Sequence, residues 1–332
     1  MAKVKVAFLG TGGFMGAHAQ RLRAHPDVQL VGMCDVSVAI AESFIERHFK
    51  DYALRPASFA DAAAMYAQVK PDAVFIATPH TLHYQHAVQA LDAGCHVYME
   101  KPMVTSLDDA YALRDKVKKA GKILVIGYNS PCSPEFNYIR NAIRNKTLGN
   151  LEMVHAYISQ GWMKGTVGLW RQDPKLSGGG QAYDSGAHLL NSLCWSVESD
   201  IQEVFAFVDN HGTPVDINSS IVVKFVNGVT AAITVSGNCP SDGSHMALIF
   251  DNGRIEADGW SGSWINVWQG RQKVKYPVVP GKDQTPDDNF IDAVLGRAEP
   301  MTSPQNGVVQ SQLMDAIYES ARTGLPARPK RR

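Results

Sequence analysis

A chain of 332 residues is long for one core, and two domains are the natural expectation. With 45% hydrophobic residues, 19% charged residues and a formal net charge of +0, it lacks both the basic surplus of a nucleic-acid binder and an electrostatic pull toward membranes. Five cysteines, odd in number, scattered and without a Cys-x-x-Cys pair, argue against a disulfide framework or a zinc site and fit a reducing, cytoplasmic setting. No apolar run is long enough to span a bilayer, and the first residues enter a strand pattern rather than a signal segment. The basic stretch 328–332 reads as a solvated end.

Residues 3–9 form a strand that meets Gly10-Thr11-Gly12-Gly13-Phe14-Met15-Gly16, and residues 17–24 then carry a helical pattern. Backbone N–H groups at a helix start, uncluttered by side chains, can face a pyrophosphate that the helix dipole also favours. The match is imperfect, because Met15 stands where the fingerprint wants Gly or Ala, and a plain tight turn is the alternative. A second strand, 29–34, ends at Asp35, where a dinucleotide fold places the acid that holds the adenosine ribose. Its charge repels a 2′-phosphate and no Lys or Arg follows until Arg47, which favours NAD over NADP; a helix cap is the competing reading of Asp35.

Helix patterns at 38–49 and 59–68 precede a buried strand, 72–77, ending in Thr78-Pro79-His80. His80, His83 and His86 lie three apart, a step that drifts around a helix, and with no carboxylate or cysteine beside them no metal site is expected. A helix at 84–93 and a turn at Gly94 lead into a short strand that runs straight into Glu100-Lys101-Pro102. A lysine leaving a buried parallel strand emerges at the carboxyl edge of the sheet, where such sheets bind ligands, although a solvated lysine is the bland alternative. The Lys101–Pro102 peptide is expected to be cis. A helix at 107–120 and a strand at 123–127 complete a first domain, 1–127, whose alternation implies right-handed crossovers and a parallel sheet.

From 128 the pattern changes. A helix at 134–146 is followed by strand patterns at 151–160, 202–208, 219–226, 229–236, 246–250 and 264–268, with Asn227-Gly228 and Asn252-Gly253 as hairpin signals, and helices at 287–295 and 303–323 close the chain. The second domain, 128–332, is therefore α+β and largely antiparallel. Its long loop, 161–181, carries Trp162, Trp170, Arg171 and Gly178-Gly179-Gly180; tryptophan faces suit the C–H faces of a sugar ring, and burial within the loop is the alternative. Asp184 and His188, four apart in a helical pattern, are expected to share a face, so that the acid orients while the histidine moves a proton.

The order of glycine turn, Asp35, Thr78-Pro79-x-x-x-His83, the run 93–102 ending in Glu100-Lys101-Pro102, and Gly178-Gly179-Gly180 with Asp184-x-Gly186-x-His188 resembles the glucose-fructose oxidoreductase and inositol dehydrogenase (Gfo/Idh/MocA) family over nearly the whole chain. The resemblance implies an N-terminal Rossmann dinucleotide-binding domain and a C-terminal domain with a large, mostly antiparallel open sheet that often forms the oligomer, a dimer or tetramer. It implies NAD held by Gly10, Gly12, Gly13, Phe14, Met15, Asp35, Thr78, Pro79, His83, Glu100 and Lys101, with Pro79 beside the nicotinamide. It also implies Lys101, Asp184 and His188 as the catalytic set, with Tyr128, Asn129, Trp162, Trp170 and Arg171 toward the substrate. Two departures bear on substrate identity: Tyr128-Asn129-Ser130-Pro131 replaces an arginine found in many relatives, and Asn191 stands where an Asp is common. The reading is an NAD-dependent oxidoreductase acting on a secondary alcohol of a sugar, sugar derivative or cyclitol. Alternatives are an NAD-dependent glycoside hydrolase or lyase using transient oxidation, and a cofactor-binding regulator without turnover.

Overall fold

Short apolar strands alternating with amphipathic helices build the first sheet. The computed structural model describes residues 3–275, 277–281 and 284–332. They divide into two compact units: one of residues up to Val104, Asp108–Gly127 and Pro286–Gln305, the other of Thr105–Leu107, Tyr128–Thr285 and Asn306–Arg332.

The first unit runs β1 (Val4–Leu9), α1 (Met15–Arg23), β2 (Val28–Cys34), α2 (Val38–Phe49), β3 (Ala57–Phe59), α3 (Ala62–Val69), β4 (Ala73–Ile76), α4 (His83–Asp92), β5 (His96–Met99), α5 (Leu107–Ala120) and β6 (Leu124–Ile126). Among the described residues these strands form one six-stranded parallel sheet in the order β3-β2-β1-β4-β5-β6. The order reverses between β1 and β4, and in open α/β sheets that switch point is where a crevice opens at the carboxyl ends. Val6, Phe8, Leu30, Met33 and Phe75 fill the core beneath it. The sequence pattern places a helix over 59–68, but Phe59 instead ends β3, pairing with Cys34, and Asp61 caps α3 through the Ala64 N–H. A strand this short shows no period of its own.

The second unit contains α6 (Pro134–Arg144), β7 (Leu151–Ser159), α7 (Trp162–Gly165), α8 (Pro174–Ser177), α9 (Gly186–Val197), β8 (Ile201–Asp209), β9 (Asn218–Phe225), β10 (Thr230–Ser236), β11 (Gly243–Phe250), β12 (Gly253–Ala257), β13 (Ile265–Gln269) and β14 (Gln272–Val274). Helices α10 (Pro286–Val294) and α11 (Pro304–Thr323) follow. The strands form an eight-stranded sheet among the described residues, in the order β14-β13-β12-β11-β7-β10-β9-β8, antiparallel except where β10 runs parallel to β7. Strict alternation gives it a buried face, with Val154, Ala156, Ile158, Ile233 and Leu248, and an open face. Helix α9 is buried on nearly every side, as the apolar run Leu189-Leu190 and Trp195-Ser196-Val197 demands.

Segment 286–305 belongs to the parallel-sheet unit. The Thr302 hydroxyl accepts from the Ile126 N–H at 3.0 Å and donates to the Ile126 carbonyl at 2.8 Å, so it satisfies the backbone of edge strand β6 where a further strand would otherwise pair.

Candidate active site

The glycine turn is shaped by steric need. Gly10 has φ +85°, and a Cβ there would sit 2.8 Å from the Ala77 carbonyl oxygen, so the turn closes tightly against the end of β4. Gly12 and Gly13 face open space, and α1 has no acidic residue in its first turn, so the helix start can take an anion. Phe14 is half exposed, whereas the Met15 side chain lies in the core and its N–H bonds Gly12. The departure from the fingerprint is thus absorbed by packing, with Gly16 giving the close contact against His48.

Asp35 binds this turn directly. Its Oδ2 accepts from the Thr11 N–H at 2.6 Å and the Thr11 hydroxyl at 2.8 Å, and its Oδ1 accepts from the Val36 N–H at 2.7 Å. Thr11 also lines a shallow cavity of about 260 Å³ with Ala39, Ile40, Ser43, Phe44 and Arg47. Bare glycines, a helix start and a carboxylate beside an apolar recess together fit a dinucleotide.

At the ends of β4 and β5, His83 holds two turns together: its Nδ1 lies 2.8 Å from the Pro102 carbonyl and its Nε2 2.9 Å from that of Thr78. Burial lowers the His83 pKa, so the neutral ring donates to one carbonyl at a time. His86 meets the Thr78 hydroxyl at 3.0 Å. Lys101 is 9% exposed, and its peptide to Pro102 is cis.

Glu100 is fixed from behind by a residue the motifs do not reveal. His18 of α1 meets Glu100 Oε1 through Nε2 at 3.1 Å and Asp287 Oδ1 through Nδ1 at 2.7 Å, while Arg21 also binds Asp287. A ring bridging two carboxylates donates from both nitrogens and is therefore an imidazolium. Burial pulls its pKa down, but Asp287 and Glu100 more than offset this and raise it to about 9. Gly127 lets Glu100 lie close, since a Cβ there would come 2.6 Å from Oε1.

In the second unit, Asp184 is not on a helix: α9 starts two residues later, and the Asp184 N–H bonds Gly180 at 2.9 Å in a preceding turn. The expectation of a shared helix face is corrected accordingly, because Gly186 folds its N–H back to Gln181 and starts the helix there. Asp184 Oδ2 accepts from Trp162 Nε1 at 2.8 Å and from Arg171 Nε at 3.0 Å, and the Arg171 guanidinium lies 4.6 Å over the Trp170 ring. Trp162 is buried with Val215 and Ile217, and its indole N–H holds Asp184. Behind this turn Asp216 accepts from the Gly180 and Ala182 N–H groups and from the Tyr318 hydroxyl, and it leaves no room for a side chain at Gly180.

His188 lies in the first turn of α9, where the Tyr128 ring meets it edge-on at 5.9 Å. Tyr128 is fully buried and Asn129 half-buried. Trp260 stacks on His188 at 4.5 Å and 17°. No sequence motif points to it, since it lies 72 residues on in a loop. His18 and Asp287 were hidden for the same reason, being 269 residues apart. Among the described residues no group of three or more His, Cys, Asp or Glu could hold a metal ion, and no helix is long and apolar enough to cross a membrane.

Residues 4–128 match a family profile described as an oxidoreductase family with an NAD-binding Rossmann fold, and residues 136–256 match the GFO/IDH/MocA C-terminal domain. The chain is 29% identical over 198 residues to the D-glucoside 3-dehydrogenase of Escherichia coli (strain K12), an alignment covering 58% of this chain and 53% of that protein. To the glucose-6-phosphate 3-dehydrogenase of Bacillus subtilis (strain 168) it is 28% identical over 198 residues, covering 59% and 54%. The matched region thus spans about half the length of these two relatives. The fold resembles that of the WlbA dehydrogenase from Bordetella pertussis, solved in complex with NADH and UDP-GlcNAcA, with a TM-score of 0.84, 22% identity and coverage of 99% and 100%. At that identity the likeness concerns the fold.

Proposed function

This chain belongs to the Gfo/Idh/MocA oxidoreductase family, and on that premise we propose that it transfers hydride between NAD and a secondary alcohol of a sugar, sugar derivative or cyclitol. The observation that carries the reading is the place of Lys101, which leaves β5 at the carboxyl end of a dinucleotide-type sheet, where open α/β sheets bind ligands. Support for a sugar comes from the two dehydrogenase relatives, whose names specify a glucoside and glucose 6-phosphate.

NAD is the cofactor we propose. Gly10, Gly12, Gly13, Phe14 and the backbone of Met15 receive its pyrophosphate, Asp35 its ribose, and Thr78, Pro79, His83, Glu100 and Lys101 its nicotinamide end. The Asp35 charge disfavours a 2′-phosphate. When bound, the nicotinamide supplies the hydride acceptor. The chain's own groups do the rest: His188 removes the hydroxyl proton, Lys101 donates to the developing alkoxide, and Asp184, aimed by Trp162 and Arg171, orients the sugar. Tyr128, Asn129 and Trp170 complete the substrate side.

We further propose that the open sheet face pairs with a second copy of this chain. Across it, one row sets Phe207, Ser220, Thr234, Tyr157 and His245 side by side, and the next sets Phe205, Val222, Ala232, His155 and Ala247. Phe207, Met153, Val222, Tyr157 and Ile249 are all exposed, a broad apolar surface with small residues at its centre.

The test is NADH formation across aldoses, inositols and anhydro-sugars. Stoichiometric NADH with at least one of them is expected. Cleavage of a glycosidic bond without net NADH would favour transient oxidation, and NAD binding with no turnover of any polyol would favour a regulator.

A further inference from the structure

We propose that Trp260 is a positioning residue whose indole face holds the His188 ring and favours its protonated form. This rests on the reading of His188 as the general base. The stack is close and nearly parallel, at 4.5 Å and 17°, and the loop that carries the indole is built to hold it.

Asp258 is the centre of that loop. Its carboxylate accepts from the Ser244 hydroxyl, from the Trp260 N–H at 3.1 Å, from Ser261 through N–H at 3.2 Å and hydroxyl at 2.7 Å, and from Ser263 through N–H at 3.2 Å and hydroxyl at 2.9 Å. Burial alone would raise its pKa, and these donors instead hold it at about 2, so the clasp is an anion throughout the physiological range. Glycines bring the loop in on both sides. At Gly259 a Cβ would run into Leu189, the neighbour of His188, and at Gly262, with φ +74°, it would meet Ser133 and Phe136.

The helix start and the indole face act on the base in opposite directions. His188 sits in the first turn of α9, where the helix dipole disfavours a cation. An indole face attracts a cation, and so offsets this when the imidazole takes up a proton. Leucine would exclude the same water without that attraction. Titratable and charged groups near His188 in this unit include Tyr128, meeting it edge-on, Asp184 in the preceding turn with Arg171 bound to it, and Asp258, which accepts from the Trp260 N–H; Trp260→Leu changes none of these residues.

The experiment follows the imidazole C–H resonances of the full chain against pH in wild type, Trp260→Leu and Trp260→Phe, with His188 assigned by its loss in His188→Gln. The His188 midpoint is expected to fall by roughly half a unit to one unit in Trp260→Leu and to stay near wild type in Trp260→Phe. The acid limb of kcat/KM should move with it. An unchanged midpoint in Trp260→Leu overturns the proposal. If that variant does not fold, Asp258→Asn takes its place, expected to loosen the indole and lower the midpoint, and an unchanged midpoint there overturns the proposal equally. The titration needs no substrate, so a wild type that oxidises no sugar would count against the dehydrogenase reading while the midpoint still decides the role of Trp260.

Discussion

Asp35 has two tasks, one toward the glycine turn and one toward the proposed ribose. Both of its oxygens are engaged by Thr11 and Val36, so it fastens the glycine turn as well as facing the proposed ribose. Asp35→Ser should weaken NAD by about 1 to 3 kcal/mol, the scale of hydrogen bonds to a charged group. It should also admit NADP, because Arg47 borders the cavity that Thr11 lines and would then meet a 2′-phosphate without a competing carboxylate. Adding Arg47→Ala should remove the gain. Titration of both cofactors against both variants checks this, and equal use of NAD and NADP by wild type would contradict the role given to Asp35.

At the scale of elements, His18 joins α1, the end of β5 and α10 through two buried carboxylates. Its pKa is raised from 6.5 to about 9 in the folded chain, so its contribution to stability is complete below about pH 6.5 and is lost as pH rises through about 9. Chemical denaturation at a series of pH values should show this alkaline decline in wild type. His18→Leu, which leaves two carboxylates buried without their shared donor, should be less stable by about 3 to 5 kcal/mol near neutrality and lack that component. A wild type whose stability is flat from about pH 7 to about pH 10 would sink the assignment. None of this tie can be read from the sequence, since His18 looks like one more residue of an amphipathic helix and Asp287 like a helix-start acid. Legible features were those with local signatures: the glycine turn, Asp35 at a strand end, Lys101 before a proline, and the Asn-Gly hairpins. Strands β12 and β14 carry no such signature because they are short and partly exposed, and the spacing of Asp184 and His188 alone does not show where Gly186 starts a helix.

At the scale of the whole molecule, the open face of the eight-stranded sheet sets the expected assembly. Tyr157 and Val222 lie in adjacent rows of that face, and charges there would be buried against a second copy. Tyr157→Glu with Val222→Glu should convert the oligomer to monomer in sedimentation while leaving NAD affinity unchanged. A wild type that sediments as a monomer at all concentrations would refute the assembly. The central claim is that Lys101 and His188 serve one reaction, and the most direct measurement is turnover together with the NAD dissociation constant for wild type, Lys101→Ala and His188→Ala, with one polyol that the NADH screen identifies. Lys101→Ala should lose about 10²- to 10³-fold in kcat, as for removal of a donor to an oxyanion. His188→Ala should lose about 10²- to 10⁴-fold and flatten the acid limb, as for a general base. Both should bind NAD nearly as wild type does. Near-normal turnover in His188→Ala, or a variant that keeps its turnover and loses NAD, would contradict the account.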